Sequence, residues 1–173
     1  IRNKMYSKKL YFKNKVKKKY LEFIESQEIL SEPFRDKLGQ LNKFFLPISK
    51  KVAEHKIKKN KTIIVGLTGG QGSGKSTISN ILKIVLREGF NLNTVVFSID
   101  DFYKTLQERK IMARKVNPLF LTRGVPGTHD TKLLLKCLME LKNFKRKVLY
   151  IPRFDKSIDD RCPKKKWQKI SKK

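Results

Sequence analysis

Apolar positions along this chain fall into helical and strand-like runs on either side of a glycine cluster. Thr62-Ile63-Ile64-Val65-Gly66-Leu67 is β-branched and apolar, which predicts a buried strand. From Ile78 to Leu86 the apolar residues recur at helical spacing, and Gly89 is placed to cap that helix. Thr94-Val95-Val96-Phe97-Ser98-Ile99 predicts a second strand and Val148-Leu149-Tyr150-Ile151 a third, closed by Pro152. Between them lie a polar, basic helix at 106–116, stopped by Asn117-Pro118, and a helix from Thr131 with Leu133, Leu134, Leu138 and Leu141 on one face.

Ahead of the first strand the pattern is helical throughout. Residues 11–20 form a basic, frayed or amphipathic helix and residues 21–29 a short one. Ser31-Glu32-Pro33 reads as a fresh N-terminus. Leu38, Leu41, Phe44, Phe45 and Ile48 then repeat at threes and fours, with Pro47 placed to kink or restart the helix. Residues 49–57 continue it, with Val52, Ala53 and Ile57 inward. The chain therefore reads as a helical preface, 1–60, packed on an α/β domain, 61–173, with a parallel sheet between helices.

Charge changes this picture little. The 173 residues hold 42 Lys and Arg against 15 Asp and Glu, a formal charge of +27. The excess is mostly lysine and is spread from Lys4 to Lys173, which fits a compositional bias better than a nucleic-acid face. Cys137 and Cys162 supply neither a disulfide framework nor metal-ligand spacing, so a reducing, cytoplasmic setting is expected. No apolar run reaches transmembrane length. The start, Ile1-Arg2-Asn3-Lys4, has neither an initiator Met nor a secretory apolar stretch, so a fragment or processed chain is expected.

The chemistry begins between the first strand and its helix. Gly69-Gly70-Gln71-Gly72-Ser73-Gly74-Lys75-Ser76-Thr77 fits G-x-x-x-x-G-K-[ST]. Glycines there let successive backbone N–H groups turn toward one anion, and the helix N-terminus adds its own free donors. Lys75 has the length to reach the β- and γ-phosphates of ATP, and the Ser76 hydroxyl suits Mg²⁺.

Three further segments carry charge in places where ligands bind. Asp100-Asp101-Phe102-Tyr103 follows the second strand, at the sheet edge where such folds hold ligands. A carboxylate there either ligates Mg²⁺ or accepts a proton from an attacking hydroxyl. Arg123-Gly124-Val125-Pro126-Gly127-Thr128-His129-Asp130 offers a guanidinium fork and an imidazole; Asp130 either caps the next helix or meets substrate. Arg153-Phe154-Asp155-Lys156-Ser157 leaves the third strand on the same edge, with Asp160-Arg161 close behind, then a basic tail with Trp167.

These segments occur together and in order, and from about Leu41 to Trp167 the chain resembles the plant, fungal and cyanobacterial type of D-glycerate 3-kinase. That type sits in the phosphoribulokinase, uridine kinase and pantothenate kinase group. The resemblance implies transfer of the ATP γ-phosphate to a hydroxyl of D-glycerate. It implies Asp100 as base or magnesium partner, Asp101 as its neighbour, and an acceptor pocket lined by Tyr103, Arg123, His129, Arg153, Asp155, Lys156 and Arg161. Two departures stand out. Only Ile158-Asp159 separates Ser157 from Asp160-Arg161, with Asp159 where the family has glycine. The family also continues into a further strand, ending Glu-Gly-Trp, beside the P-loop strand, so an incomplete sheet is expected. Kinases of this group with another acceptor, uridine- or pantothenate-like, are the neighbouring reading. A non-catalytic nucleotide-binding module that holds RNA through its lysines is the reading from a different class.

Overall fold

The computed structural model describes residues 2–28, 33–143 and 147–171, with side chains in the first helix from residue 14 onward. Of the helix start expected at Ser31-Glu32-Pro33, residues 31 and 32 lie outside the described residues. The chain divides into two compact units, Ile1–Val96 and Phe97–Lys173.

The first unit is helical. Helix α1 (Arg2–Gln27) is one continuous helix where two shorter ones were expected. Val16, Tyr20 and Ile24 recur every fourth residue, so they form one stripe, and all three are buried. They pack with Leu41, Phe45, Ile81 and Val85. The Tyr20 hydroxyl escapes the apolar cost of burial by donating to the Lys37 carbonyl at 2.8 Å. Helix α2 (Lys37–Gln40) is capped by Asp36, whose carboxylate accepts the Gly39 N–H at 3.0 Å.

A π-helical turn, Leu41–Phe45, leads directly into α3 (Leu46–Lys59). Pro47 accounts for the wide turn: it has no N–H to donate and its ring crowds the preceding turn. The helix therefore restarts at Leu46, as the proline predicted. Ala53 faces inward at 2% exposure, but Ile57 does not: it is 74% exposed, in a last turn otherwise occupied by Lys56, Lys58 and Lys59.

Helix α4 (Lys75–Ile84) follows the glycine loop and runs on through a second π turn, Val85–Gly89. Ile81 and Val85 are the residues that fasten it to α1, and Lys15 reaches Glu88 at 2.8 Å. The left-handed residue after this helix is Asn91, at φ 51°, rather than Gly89. Leu92 N–H then closes back on the Leu86 carbonyl at 3.1 Å, so the end is sealed two residues later than expected. Because Ile24 is wholly buried against the loop's helix, Ile24→Ala is expected to cost about 2–4 kcal/mol. Chemical denaturation checks this; a loss below about 1 kcal/mol would mean that α1 is not part of this core.

Residues 62–67 and 94–99, both read as strands, join no β-ladder among the described residues, and Ile99 instead opens a 3-10 turn. Ile64, Val65 and Leu67 are 54%, 59% and 44% exposed. Their apolar pattern expresses a preference for burial, whereas a ladder needs a partner strand from elsewhere in the chain.

The second unit contains α5 (Leu106–Lys115), α6 (Thr131–Lys142), β1 (Val148–Ile151), β2 (Phe154–Asp155), β3 (Asp160–Arg161) and β4 (Gln168–Ser171). Strand β1 was expected in a parallel sheet. It pairs antiparallel with β4, from Val148 opposite Ser171 to Ile151 opposite Gln168. The basic tail thus becomes a strand, because Ile170 is buried in it and the Trp167 indole N–H donates to the Cys162 carbonyl at 2.8 Å. Strands β2 and β3 form a short antiparallel hairpin, Phe154 opposite Arg161 and Asp155 opposite Asp160.

Candidate active site

In the first unit the site is the glycine loop. Gly72 and Gly74 take φ of 76° and 74°, the left-handed region where a side chain is strained. No atom lies within 4 Å of where a Cβ would stand at Gly70, Gly72 or Gly74, so the loop opens onto free space at these three positions. Ser73 braces the loop: its hydroxyl donates to the Gly70 carbonyl at 2.8 Å and blocks any side chain at Gly69, whose Cβ would lie 2.8 Å from it. Helix α4 starts at Lys75 with no side-chain cap, which leaves its first N–H groups for a ligand. The Lys75 ammonium folds back on the Gly70 carbonyl. Gln71 and Thr77 flank this cradle, and among the described residues the Ser76 hydroxyl makes no hydrogen bond within the chain. A bare amide cradle, a long cation and a spare hydroxyl suit a nucleotide's terminal phosphates and a hard divalent cation.

In the second unit the site is built on the 3-10 turn Ile99–Phe102. Ser98 and Asp101 cap it reciprocally: the Ser98 hydroxyl accepts the Asp100 N–H at 3.2 Å, and Asp101 accepts the Ser98 N–H at 2.9 Å. Asp101 is buried, also receives the Phe154 N–H at 3.4 Å, and lies 3.6 Å from Arg153. The two neighbouring acids therefore part company. Asp101 ties the turn to β2, whereas Asp100 points away from that cap to meet the Lys156 ammonium at 2.8 Å and the Tyr103 hydroxyl.

Burial works to raise the Asp100 carboxyl, but the Lys156 hydrogen bond and charge, helped by Tyr103, outweigh it and hold the carboxyl below its ordinary range. Burial, then the Asp100 charge, pushes the Tyr103 phenol up. It follows that Lys156→Ala moves the Asp100 titration upward, as measured by carboxyl-carbon NMR. The stability linked to this pair is present above the unfolded carboxyl value, about 3.9, and is lost as pH falls below it. An Asp100 titration that stays in place in the variant would show that Lys156 does not set it.

A second segment clamps the turn from the other side. Lys104 N–H donates to the Thr128 carbonyl at 2.8 Å and Asp130 N–H to the Phe102 carbonyl at 2.7 Å. This short bridge stacks the His129 ring on Tyr103, with centroids 4.2 Å apart. Thr128 is wholly buried and folds the loop through Gly124 N–H at 3.2 Å and the Val125 carbonyl at 2.6 Å. Gly127 takes φ 94°, and a Cβ there would meet Phe120 at 3.1 Å. The Nε2 of His129 is buried without a hydrogen-bond partner among the described residues.

The residues expected around the acceptor are thus partly gathered and partly committed elsewhere. Asp100, Tyr103, His129 and Lys156 form one connected group. Arg123 lies beside it but is paired to Asp159. Arg161 donates twice to the Tyr103 carbonyl, at 3.1 and 2.7 Å, and once to Asp130 at 3.1 Å. Asp155 accepts both the N–H and the hydroxyl of Ser157, at 2.9 and 2.6 Å, and so shapes its own turn. Asp130 also accepts the Leu133 N–H at 3.0 Å and caps α6, the first of the two roles open to it.

One residue gave no signal in the sequence. Arg109 is a basic residue on a polar helix, α5, and such helices read as solvated, yet it is 0% exposed. It donates to the carbonyls of Lys104, Leu121 and Asp159, at 3.4, 2.6 and 2.5 Å, and to the Asp159 carboxylate at 2.9 Å. Its guanidinium lies 5.9 Å from the Phe154 ring centre. Asp160 is similar: it accepts the Leu106 N–H at 2.8 Å and sets the start of α5.

A glycine loop of the G-x-x-x-x-G-K-[ST] pattern and an acid-centred polar cluster are features of the P-loop kinase class. The family model described as phosphoribulokinase / uridine kinase family matches residues 64–172, and the chain belongs to that family. An uncharacterized kinase of Schizosaccharomyces pombe, mug58, is 37% identical over 117 residues, 64% of this chain and 42% of its own length. A pantothenate kinase of Streptococcus pneumoniae is 31% identical over 125 residues, 70% of this chain and 38% of its own. The solved structure of D-glycerate 3-kinase from Cryptococcus neoformans var. grubii superposes with a TM-score of 0.60 at 28% identity, over 78% of this chain and 48% of that one. These likenesses give the chain the α/β P-loop kinase fold, and the chain spans less than half the length of the relatives it matches. No helix among the described residues is long and apolar enough to cross a membrane.

Proposed function

We propose that the protein is an ATP-dependent kinase that transfers the γ-phosphate to a hydroxyl of D-glycerate. The observation that carries this reading is the Asp100 cluster: one ionised carboxylate held by Lys156 and Tyr103, with His129 stacked alongside and Arg123 next to it. A small acceptor with its own negative charge needs cations around the group that receives its hydroxyl, and this cluster supplies them.

In this reading the loop amides and Lys75 hold the β- and γ-phosphates; Ser76 in the first unit and Asp100 in the second each carry an oxygen that suits magnesium. Magnesium, when bound, neutralises charge on the phosphates. Asp100 accepts a hydrogen bond from the acceptor hydroxyl and orients it. Because its carboxyl is held low it is a weak base, which suits a loose transition state in which the proton leaves late. Lys156 is 61% exposed in its side chain, so its ammonium is open to an anionic ligand as well as to Asp100. Asp101 acts through the turn it caps, as a positioning residue.

A second reading, a kinase of the same family with another small acceptor, is favoured by one fact: Asp159 already occupies Arg123. Release of ADP in the presence of D-glycerate, uridine and pantothenate separates the two. The D-glycerate reading expects turnover with glycerate well above the others. Turnover of uridine or pantothenate with glycerate inert would reject it.

A further inference from the structure

We infer that Asp159 is a built-in competitor for the acceptor's anionic group: it occupies the Arg123 guanidinium and weakens the protein's grip on carboxylates there. The inference rests on the reading of the Asp100 cluster as the acceptor site and adds a residue that tunes its selectivity. Asp159 is the last residue of the turn between β2 and β3, at φ 53°, in the left-handed region that an ordinary side chain resists. Such a conformation persists where the surroundings over-determine it. Here they do. One carboxylate oxygen accepts Arg109 Nη2 at 2.9 Å and the other is bonded to Arg123 Nη1.

The two arginines have different freedom. Arg109 is 0% exposed in its side chain and is held by three backbone carbonyls, so it anchors Asp159 and cannot leave. Arg123 is 35% exposed in its side chain and, among the described residues, donates only to Asp159. The next residue, Gly124, lies against the same cluster: a Cβ there would stand 3.7 Å from the Tyr103 hydroxyl. A guanidinium fork is built to take a carboxylate with two parallel bonds. Asp159 takes one donor and cancels much of the charge before any acceptor arrives.

The test follows the Arg123 Nε–H resonance by NMR in the intact protein, wild type against Asp159→Asn and Asp159→Gly, titrated with sodium acetate and separately with D-glycerate at constant ionic strength. Asparagine removes the charge and keeps the shape; glycine also relieves the left-handed backbone. Acetate is expected to bind at Arg123 about threefold to tenfold more tightly in both variants, the scale of a partly exposed ion pair. The same tightening for acetate with no response to D-glycerate would keep this inference and sink the glycerate reading. Equal or weaker acetate binding in the variants would overturn it. Loss of folded near-ultraviolet circular dichroism in both variants would overturn it too, because Asp159 would then be a structural counter-ion of Arg109 alone.

Discussion

Lys75→Ala is expected to weaken ATP binding by at least about a hundredfold, measured by calorimetry, with the fold of the first unit retained. Lys75 follows a glycine loop in which Gly72 and Gly74 take left-handed conformations, the kind of backbone that lets successive amides turn toward one anion. The amides bind the phosphates in a fixed shape, but a cluster of negative oxygens also needs a full counter-charge. In the free chain that charge is parked on the Gly70 carbonyl, a neutral partner that a phosphate readily replaces. Loss of a charge-assisted contact to a polyanion costs roughly 2–5 kcal/mol, so the change in affinity is large. The side chain contributes nothing to the buried core of α1 and α4, so melting should be little altered. ATP binding unchanged in this variant would remove the loop's assigned role.

Asp100→Asn is expected to lower kcat by about 10²–10⁴-fold while ATP affinity changes by less than about twofold. Asparagine keeps the shape and one acceptor oxygen. It removes the charge that orients the acceptor hydroxyl and finally takes its proton. The neighbouring acid provides the contrast. Asp101 is bonded to Ser98 N–H and Phe154 N–H, so its loss is felt first in the stability of the turn. A kcat within about threefold of wild type in Asp100→Asn would show that the acceptor is positioned by other groups, with His129 and its unpartnered buried nitrogen the next candidate.

The glycine loop was legible because its chemistry is local: nine consecutive residues dictate their own backbone shape, and Gly72, Gly74 and Lys75 stand in it as the pattern requires. Helices α4, α5 and α6 were legible for the same reason, since their periodicity lies within each segment, whereas α1 was read as two shorter helices. Pairing was not. Residues 62–67 look like a strand by every local measure, yet a ladder depends on a distant partner, and Ile64 and Val65 remain exposed. The tail was read only as basic, with Trp167 its large apolar group, but Ile170 and the register with Val148–Ile151 make Gln168–Ser171 a strand, β4. Within the site, sequence order brought out Asp100, Lys156, His129 and Arg123. It could not show that Arg109, which stands in no motif, would be drawn inside by three backbone carbonyls and the Asp159 carboxylate.

The most direct test is phosphorus NMR of the intact protein with magnesium-ATP and D-glycerate. The account predicts a new phosphomonoester signal coupled to the protons of the carbon that bears the phosphorylated hydroxyl, with ADP formed in equal amount and neither appearing in Asp100→Asn. Inorganic phosphate as the sole phosphorus product beside ADP, or no consumption of ATP with any small hydroxyl acceptor, would contradict it.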